Sequence, residues 1–340
     1  MIKRMVITGY GTIAKELLKL IVENKIMIEK KYNLVIDVVG IIGSEYTVYQ
    51  KNGVNLKKLL NYGIGSRALY KYKKDTMIEN SSLDNIKGDI LIEATPTNIK
   101  TGEPGYSYIK WAIKKKMDIV SVSKGSLVKY FDEIIKLSKE NNIKLKYSGA
   151  TMAALPSMDI GEYSLASTKI EKIEGILNGT SNYILSEMYD NETDFEKTVI
   201  KAQKQGITEK NIDYDVMGID SGNKIYILYR SLINKKYKYN DINIEGINNI
   251  KIENIKKLKK ENKKIKLIAT ACDKEISVKP SIIDPSNPLY YVDGKEKGIV
   301  FHTKDMGRIV TTGGESSPKG AASSVLKDII NISRTKVQYW

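Results

Sequence analysis

Val6-Ile7-Thr8-Gly9-Tyr10-Gly11-Thr12-Ile13-Ala14 is the stretch that decides the fold. An apolar run with the texture of a strand gives way within three residues to an amphipathic stretch, and the small residues fall in the spacing Gly-x-Gly-x-x-Ala. Gly9 permits the tight turn, Gly11 lets a pyrophosphate approach the backbone at the helix N-terminus, and Ala14 lets helix and strand pack closely. Such a spacing alone is weak. Its place directly after the first strand of an alternating pattern is what points to a dinucleotide.

Outward from that loop, apolar runs predict strands over 4–8, 34–42, 89–94, 119–123 and 145–148. Residues 12–23, 55–62, 101–116 and 127–140 carry apolar positions at helical spacing. Strand and helix taking turns describes a Rossmann-type, doubly wound α/β dinucleotide-binding domain over 1–149. After Thr151-Met-Ala-Ala-Leu-Pro156 the alternation fails. Strands are expected over 170–178, 266–271, 276–279, 298–303 and 308–312, and helices over 181–189, 194–205 and 221–232. That is an inserted α+β domain spanning 150–314. The remainder, 315–340, is expected to return a last helix to the first domain.

Composition removes whole chemistries. The 340 residues contain one histidine, His302, and one cysteine, Cys272, so a zinc site, a Ser-His-Asp triad, a Cys-His pair and an Fe–S cluster lack their side chains. A single cysteine fits a reducing compartment, which predicts a cytoplasmic protein, and no apolar stretch approaches the ~20 residues of a membrane span. The formal charge of +15 suggests nucleic acid at first sight. Its lysines, however, are spread along the chain and interleaved with glutamate, without the concentrated arginine and aromatic patch of a nucleic-acid footprint. The densest run, 256–264, keeps apolar residues at Ile255 and Leu258 and reads as the solvated face of a helix.

The choice between NAD and NADP falls at the end of the second strand, where a carboxylate would hold a ribose hydroxyl and repel a 2′-phosphate. Gly43 and Ser44 carry no charge and Lys57 and Lys58 follow, which favours NADP with Ser44 in contact. Glu45 argues for NAD.

Four further segments follow in order: Glu93-Ala-Thr-Pro-Thr-Asn98 with Thr101-Gly-Glu-Pro104; Ser121-Val-Ser-Lys124-Gly-Ser; Gly175-Ile-Leu-Asn-Gly179-Thr180; and Gly206-Ile-Thr-Glu209-Lys-Asn-Ile-Asp-Tyr-Asp215-Val-Met-Gly218-Ile-Asp220-Ser-Gly-Asn-Lys224. Together they resemble homoserine dehydrogenase over nearly the whole chain. The resemblance implies NAD(P)H-dependent reduction of L-aspartate 4-semialdehyde to L-homoserine, on the route to threonine, isoleucine and methionine, by a homodimer. It also implies a monofunctional enzyme, since the length leaves no room for an attached aspartokinase.

The reaction needs a hydride donor and a proton source for the developing alkoxide. Without a usable histidine, lysine is the natural carrier, because a desolvated ammonium near other cations can titrate well below ~10.4. Lys224 is the candidate acid and base, with Asp220 one helical turn before it. In isolation an Asp-x-x-x-Lys pair is an ordinary surface ion pair; the resemblance assigns both residues to catalysis. It further implies Lys124 at the substrate oxygen, cofactor contacts at Gly9, Gly11, Thr12, Ile13, Thr95, Pro96 and Lys124, recognition of the substrate ammonium by Glu209 and Asp215, and a substrate loop at Gly179 and Thr180.

The pattern departs in places. Ser148 stands where the family commonly has a glutamate that joins backbone carbonyls around a monovalent cation, so a sodium site on the carbonyls of Thr151, Ala153 and Leu155 loses its charged ligand. Ser123 replaces an asparagine before Lys124, Ile207 replaces an aromatic residue, and Gly313-Gly-Glu-Ser-Ser-Pro318 replaces a Gly-Ala-Gly loop. Rival readings are a related two-domain dehydrogenase, or a non-catalytic dinucleotide-sensing or nucleic-acid-binding Rossmann protein. His302 is expected to be structural.

Overall fold

A computed structural model describes all residues except 80, 206–207, 209–211, 234–236, 315 and 335–340. The chain divides into two units, Met1–Ala153 joined by the segment from Ser317 onward, and Ala154–Ser316.

The first unit runs β1 (Ile2–Thr8), α1 (Thr12–Glu23), α2 (Lys25–Tyr32), β2 (Val35–Ile42), β3 (Thr47–Tyr49), α3 (Leu56–Leu60), α4 (Gly65–Thr76), β4 (Ile90–Glu93), α5 (Gly105–Lys114), β5 (Asp118–Ser121), α6 (Lys124–Glu140) and β6 (Leu145–Lys146). Its sheet has the order β3-β2-β1-β4-β5-β6, parallel except for the edge strand β3. Met5 to Thr8 are all fully buried, the unbroken burial of a central parallel strand covered on both faces. Helix α1 contributes Ala14, Leu17, Leu18 and Ile21 at helical spacing to the core beneath it.

The second unit contains α7 (Ser157–Asp159), β7 (Ile170–Ile176), α8 (Gly179–Asn191), α9 (Phe195–Lys204), α10 (Asp213–Val216), α11 (Ile219–Leu232), β8 (Asn243–Ile244), α12 (Ile252–Lys260), β9 (Lys264–Cys272), β10 (Ile276–Ile283), β11 (Lys297–Thr303) and β12 (Arg308–Gly313). The strand order is β12-β11-β7-β9-β10-β8, antiparallel apart from the short β8–β10 pair. One face of this sheet buries Ile176, Val300 and Ile268 with Leu289, Tyr290 and Val292. Helix α12 buries Ile255 and Leu258 and sends Lys256 and Lys259 to Glu192, so the dense lysine run is a solvated helical face as far as Lys260, while Lys264 opens β9 and is mostly buried against Asp293. His302 pairs with Glu174 at 2.7 Å across neighbouring strands, a structural contact.

The last helix, α13 (Pro318–Ser333), is capped by the Ser317 hydroxyl, which accepts the Gly320 amide, with Pro318 in the first turn. Ala322, Val325 and Ile329 then join the core of the first unit beside α1. The crossing between units falls at 153/154, a few residues later than the 149/150 expected from sequence. The Thr151 and Ala153 amides fold back onto the Ser148 carbonyl, each at 3.2 Å, and Asp328 of α13, whose buried carboxylate accepts the Ser148 amide and hydroxyl, each at 2.9 Å, holds that turn in the first unit. The sequence pattern missed α2, β3 and α4, where few apolar residues are buried: Ile28 in α2, Val48 in β3, and Ala68, Leu69 and Tyr72 in α4. Among the described residues no helix is long and apolar enough to cross a membrane.

Replacing Asp328 with Ala leaves the Ser148 donors buried without a charged acceptor. Urea denaturation should register a loss of about 2–3 kcal/mol, with Asp328→Asn losing less.

Candidate active site

Gly9 sits at φ +85°, and a Cβ there would lie 2.3 Å from the Ala94 carbonyl oxygen, so no other residue fits where the β1 loop passes the end of β4. Gly11 is different: a Cβ added to it meets nothing within 4 Å. Packing within the chain therefore does not demand this glycine. Open space at the N-terminus of α1, whose first turn has no side-chain cap and no acid, suits the pyrophosphate of a dinucleotide. Thr12 and Ile13 open that helix and are accessible, while Ala14 is buried against the sheet.

At the ends of β4 and β5 a residue outside the expected site acts as a hub. The fully buried Glu93 carboxylate accepts the Thr95 amide (3.0 Å), the Thr95 hydroxyl and the Ser121 hydroxyl (2.8 Å), and also a backbone hydrogen bond from Ser123. Burial pushes its proton affinity up, and those donors push it down. This hub fixes both segments that hold expected site residues, Thr95-Pro96 and Ser123-Lys124. Gly125 lets them approach, since a Cβ there would lie 2.4 Å from the Asn98 carbonyl oxygen. Pro96 is exposed and Lys124 half-buried, with the Lys124 amide donating to the Thr97 hydroxyl at 3.3 Å.

Beyond β2, Gly43 is enforced by packing, because a Cβ would lie 2.7 Å from Leu69. The Ser44 and Ser66 hydroxyls pair at 2.8 Å, and exposed Arg67 follows Ser66 at the start of α4. Lys58, counted from sequence in favour of NADP, is committed to Asp75 at 2.8 Å. Glu45 is exposed, and its amide bonds the Ser66 hydroxyl at 3.3 Å.

The second unit gathers the other expected residues around one helix. Asp220 and Lys224, one turn apart on α11, form an ion pair of 2.5 Å with side chains only 9% and 14% exposed. They are thus a buried pair, unlike the surface pair that their spacing alone suggests. Lys224 also donates to the Leu177 carbonyl at 2.8 Å. Asn178, which sequence reasoning passed over, joins the cluster: its Nδ2 donates to Asp215 (2.7 Å) and Asp220 (2.9 Å), and its Oδ1 accepts the Ser181 amide (2.9 Å), capping α8. Burial and the neighbouring Asp220 charge raise the proton affinity of Asp215 above the usual carboxylate range, against hydrogen bonds from Asn178 and Thr180 and the charge of Lys224. Gly179 lies where a Cβ would be 2.6 Å from the Ser316 hydroxyl. Glu209 falls outside the described residues.

The sodium site expected on Thr151, Ala153 and Leu155 is not supported by the local chemistry. The Ser148 hydroxyl accepts the Lys327 ammonium at 2.9 Å and donates to Asp328, so a fixed positive charge already neighbours the position that lost its carboxylate. The Leu155 carbonyl accepts the Ser157 amide at 2.8 Å, and among the described residues no cluster of acidic, histidine or cysteine side chains could hold a metal. The charged ligand of such a site is missing at Ser148, and no step below uses a cation.

The chain matches known proteins along its length. A sequence profile described as homoserine dehydrogenase matches residues 156–330. Homoserine dehydrogenase of Methanocaldococcus jannaschii is 30% identical over 96% of this chain and 98% of that protein. The NAD(+)-dependent homoserine dehydrogenase of Pseudomonas canavaninivorans is 28% identical over 98% and 96%. A crystal structure of a putative homoserine dehydrogenase from Archaeoglobus fulgidus superposes with a TM-score of 0.85 at 27% identity, covering 98% of this chain and 99% of that one. With the glycine loop on the first unit and the buried Asp–Lys pair on the second, the chain belongs to the homoserine dehydrogenase family of NAD(P)-dependent oxidoreductases.

Proposed function

We propose that Lys224 moves the proton in the interconversion of L-aspartate 4-semialdehyde and L-homoserine, with Asp220 and the Leu177 carbonyl holding its ammonium. The buried Asp220–Lys224 pair carries this reading. A lysine ammonium has three donors. Asp220 and Leu177 engage two of them, which leaves a third for the substrate oxygen. In reduction that proton goes to the developing alkoxide; in oxidation the neutral amine takes it back from the hydroxyl. The bound dinucleotide supplies or accepts the hydride.

Around this centre, Asp215 and Glu209 receive the substrate ammonium, with Gly179 and Thr180 forming the loop beside it. Lys124 polarises the reacting oxygen. Gly9, Gly11, Thr12, Ile13, Thr95 and Pro96 hold the dinucleotide, the first four at the α1 terminus and the last two on the segment that Glu93 fixes. Asn178 and Glu93 act as positioning residues, each a buried polar hub for segments distant in sequence. The working form is a homodimer, in keeping with the exposed edge strand β12, where Arg308, Val310 and Thr312 face outward.

The cofactor assigned to the β2 end is NADP in preference to NAD. Hydroxyls of Ser44 and Ser66 with Arg67 beside them suit a 2′-phosphate, and neither position 43 nor 44 carries a carboxylate. Glu45 and the NAD(+)-dependent relative favour the alternative. Comparing kcat/KM for the two dinucleotides decides it: NADP should be preferred, and Ser44→Asp should lower kcat/KM for NADP at least tenfold with little change for NAD. An unchanged ratio overturns the assignment.

Lys224→Met should cut homoserine oxidation by about a thousandfold, within the range of lost general acid–base catalysis. Dinucleotide affinity, read by quenching of protein fluorescence, should stay within twofold. Parental turnover in this variant removes Lys224 from the mechanism.

A further inference from the structure

A second lysine of the second unit has no role in the account so far. Lys297 opens β11 and is only 4% exposed, although Lys295 and Glu296 immediately before it are exposed. Sequence offered no hint, because Gly294-Lys-Glu-Lys297-Gly reads as a solvated turn.

Strand register shows where its side chain goes. Gly298 faces Leu289 and Val292, the apolar side of the sheet, since a Cβ there would lie 2.8 Å and 2.9 Å from them. By alternation Lys297 points to the opposite face, together with Ile299. Ile299 pairs with Gly175, Gly175 with Ala269 and Ala269 with Val278. Val278 in turn lies 3.2 Å from the Cβ position of Gly218, at the start of α11. The Lys297 side chain is therefore on the face that carries α11. Moreover, the pairing of Gly298 with Ile176 places Lys297 opposite Leu177, whose carbonyl receives the Lys224 ammonium.

The charges around Lys297 fit that placement. From α11, Lys224 and Asp220 act on it, whereas Glu174 of β7, paired with Val300, takes the opposite face, where Lys172 and His302 hold it, and Asp293 is held there by Lys264 and Lys266. Burial, with the Lys224 charge, lowers its proton affinity to about 8 against the opposing pull of Asp220.

We propose that Lys297 binds the α-carboxylate of the amino-acid substrate, beside the Asp220–Lys224 pair. This deepens the reading above and rests on it. A zwitterionic substrate needs a cation as well as the acids assigned to its ammonium, and Lys224 is engaged by Asp220, by Leu177 and by the reacting oxygen. An ammonium already stripped of water gives up little further hydration when a carboxylate arrives, and the low dielectric strengthens their attraction.

The test crosses a change in the protein with a change in the substrate. Homoserine and its decarboxylated analogue, 3-amino-1-propanol, are oxidised by the parent and by Lys297→Met and Lys297→Arg. For the parent, kcat/KM should fall at least thirtyfold from homoserine to the analogue. In Lys297→Met, homoserine should fall to the analogue's level through KM, while the analogue itself is little affected and dinucleotide affinity is unchanged; Lys297→Arg should recover part of the loss. Equal losses for both substrates in Lys297→Met, or parental KM for homoserine, overturn the proposal. Should that variant not fold, the parent alone decides: KM for homoserine should rise as pH passes about 8, where Lys297 loses its proton, and KM for the analogue should not. A flat homoserine KM, or parallel changes for both substrates, rejects the assignment. Failure of the proton-carrier reading looks different, since a Lys224 variant would then turn over both substrates.

Discussion

A lysine ammonium buried beside a carboxylate is the constraint on which the second unit depends. Removing an ammonium from water costs several kcal/mol, and a paired carboxylate offsets this only when the geometry is good and the remaining polar atoms are satisfied. Here the offset is shared. Asp220 lies 2.5 Å from Lys224, the Leu177 carbonyl accepts a second hydrogen bond, and Asn178 donates to Asp220 from the other side. Leu177 and Asn178 lie just beyond the end of β7, and Asn178 caps the next helix, so the strand end, the helix start and the ion pair are fixed by the same few atoms. Removing one partner of such a pair generally costs about 3–5 kcal/mol, because the other charge stays buried.

The first unit solves a parallel problem with a different group. Its ligand site has to be made of backbone, since a pyrophosphate is held by amides at a helix start. The loops at the ends of parallel strands must then be rigid without filling the space themselves. Glu93 does this from inside: one buried carboxylate collects donors from Thr95, Ser121 and Ser123, and Gly9 and Gly125 allow the close backbone approaches that result. Gly11, with nothing near its missing Cβ, is the position left open. In both units a polar atom buried among segment ends does the positioning.

Much of this was legible in the sequence. The stretch 12–23 forms α1 as its spacing predicts, and the doubly wound first half follows from continuous apolar strands alternating with amphipathic helices. Elements with little buried surface, such as α2 and β3, gave no periodic signal to read, whereas α4 buries Ala68, Leu69 and Tyr72 at helical spacing among so many polar residues that it was passed over. For the site, Asp220 and Lys224 were visible through their spacing and their order among other motifs, yet their burial was not, since an Asp-x-x-x-Lys pair looks the same on a wet face. Glu93 and Asn178 lay inside the motifs singled out, but their importance comes from contacts with residues 28 to 42 positions away in the chain. Lys297 is hidden further still, because only strand register shows which face it takes.

The central claim is that the Lys224 amine itself carries the proton, and the most direct measurement is chemical rescue. In Lys224→Ala, oxidation of homoserine by the bound dinucleotide is followed while small primary amines such as methylamine and ethylamine are added. The account predicts that turnover rises with the concentration of the amine and saturates as the vacated space fills, with no comparable effect of the same amines on the parent. A folded, dinucleotide-binding Lys224→Ala that already turns over like the parent, or one that no amine revives, contradicts it.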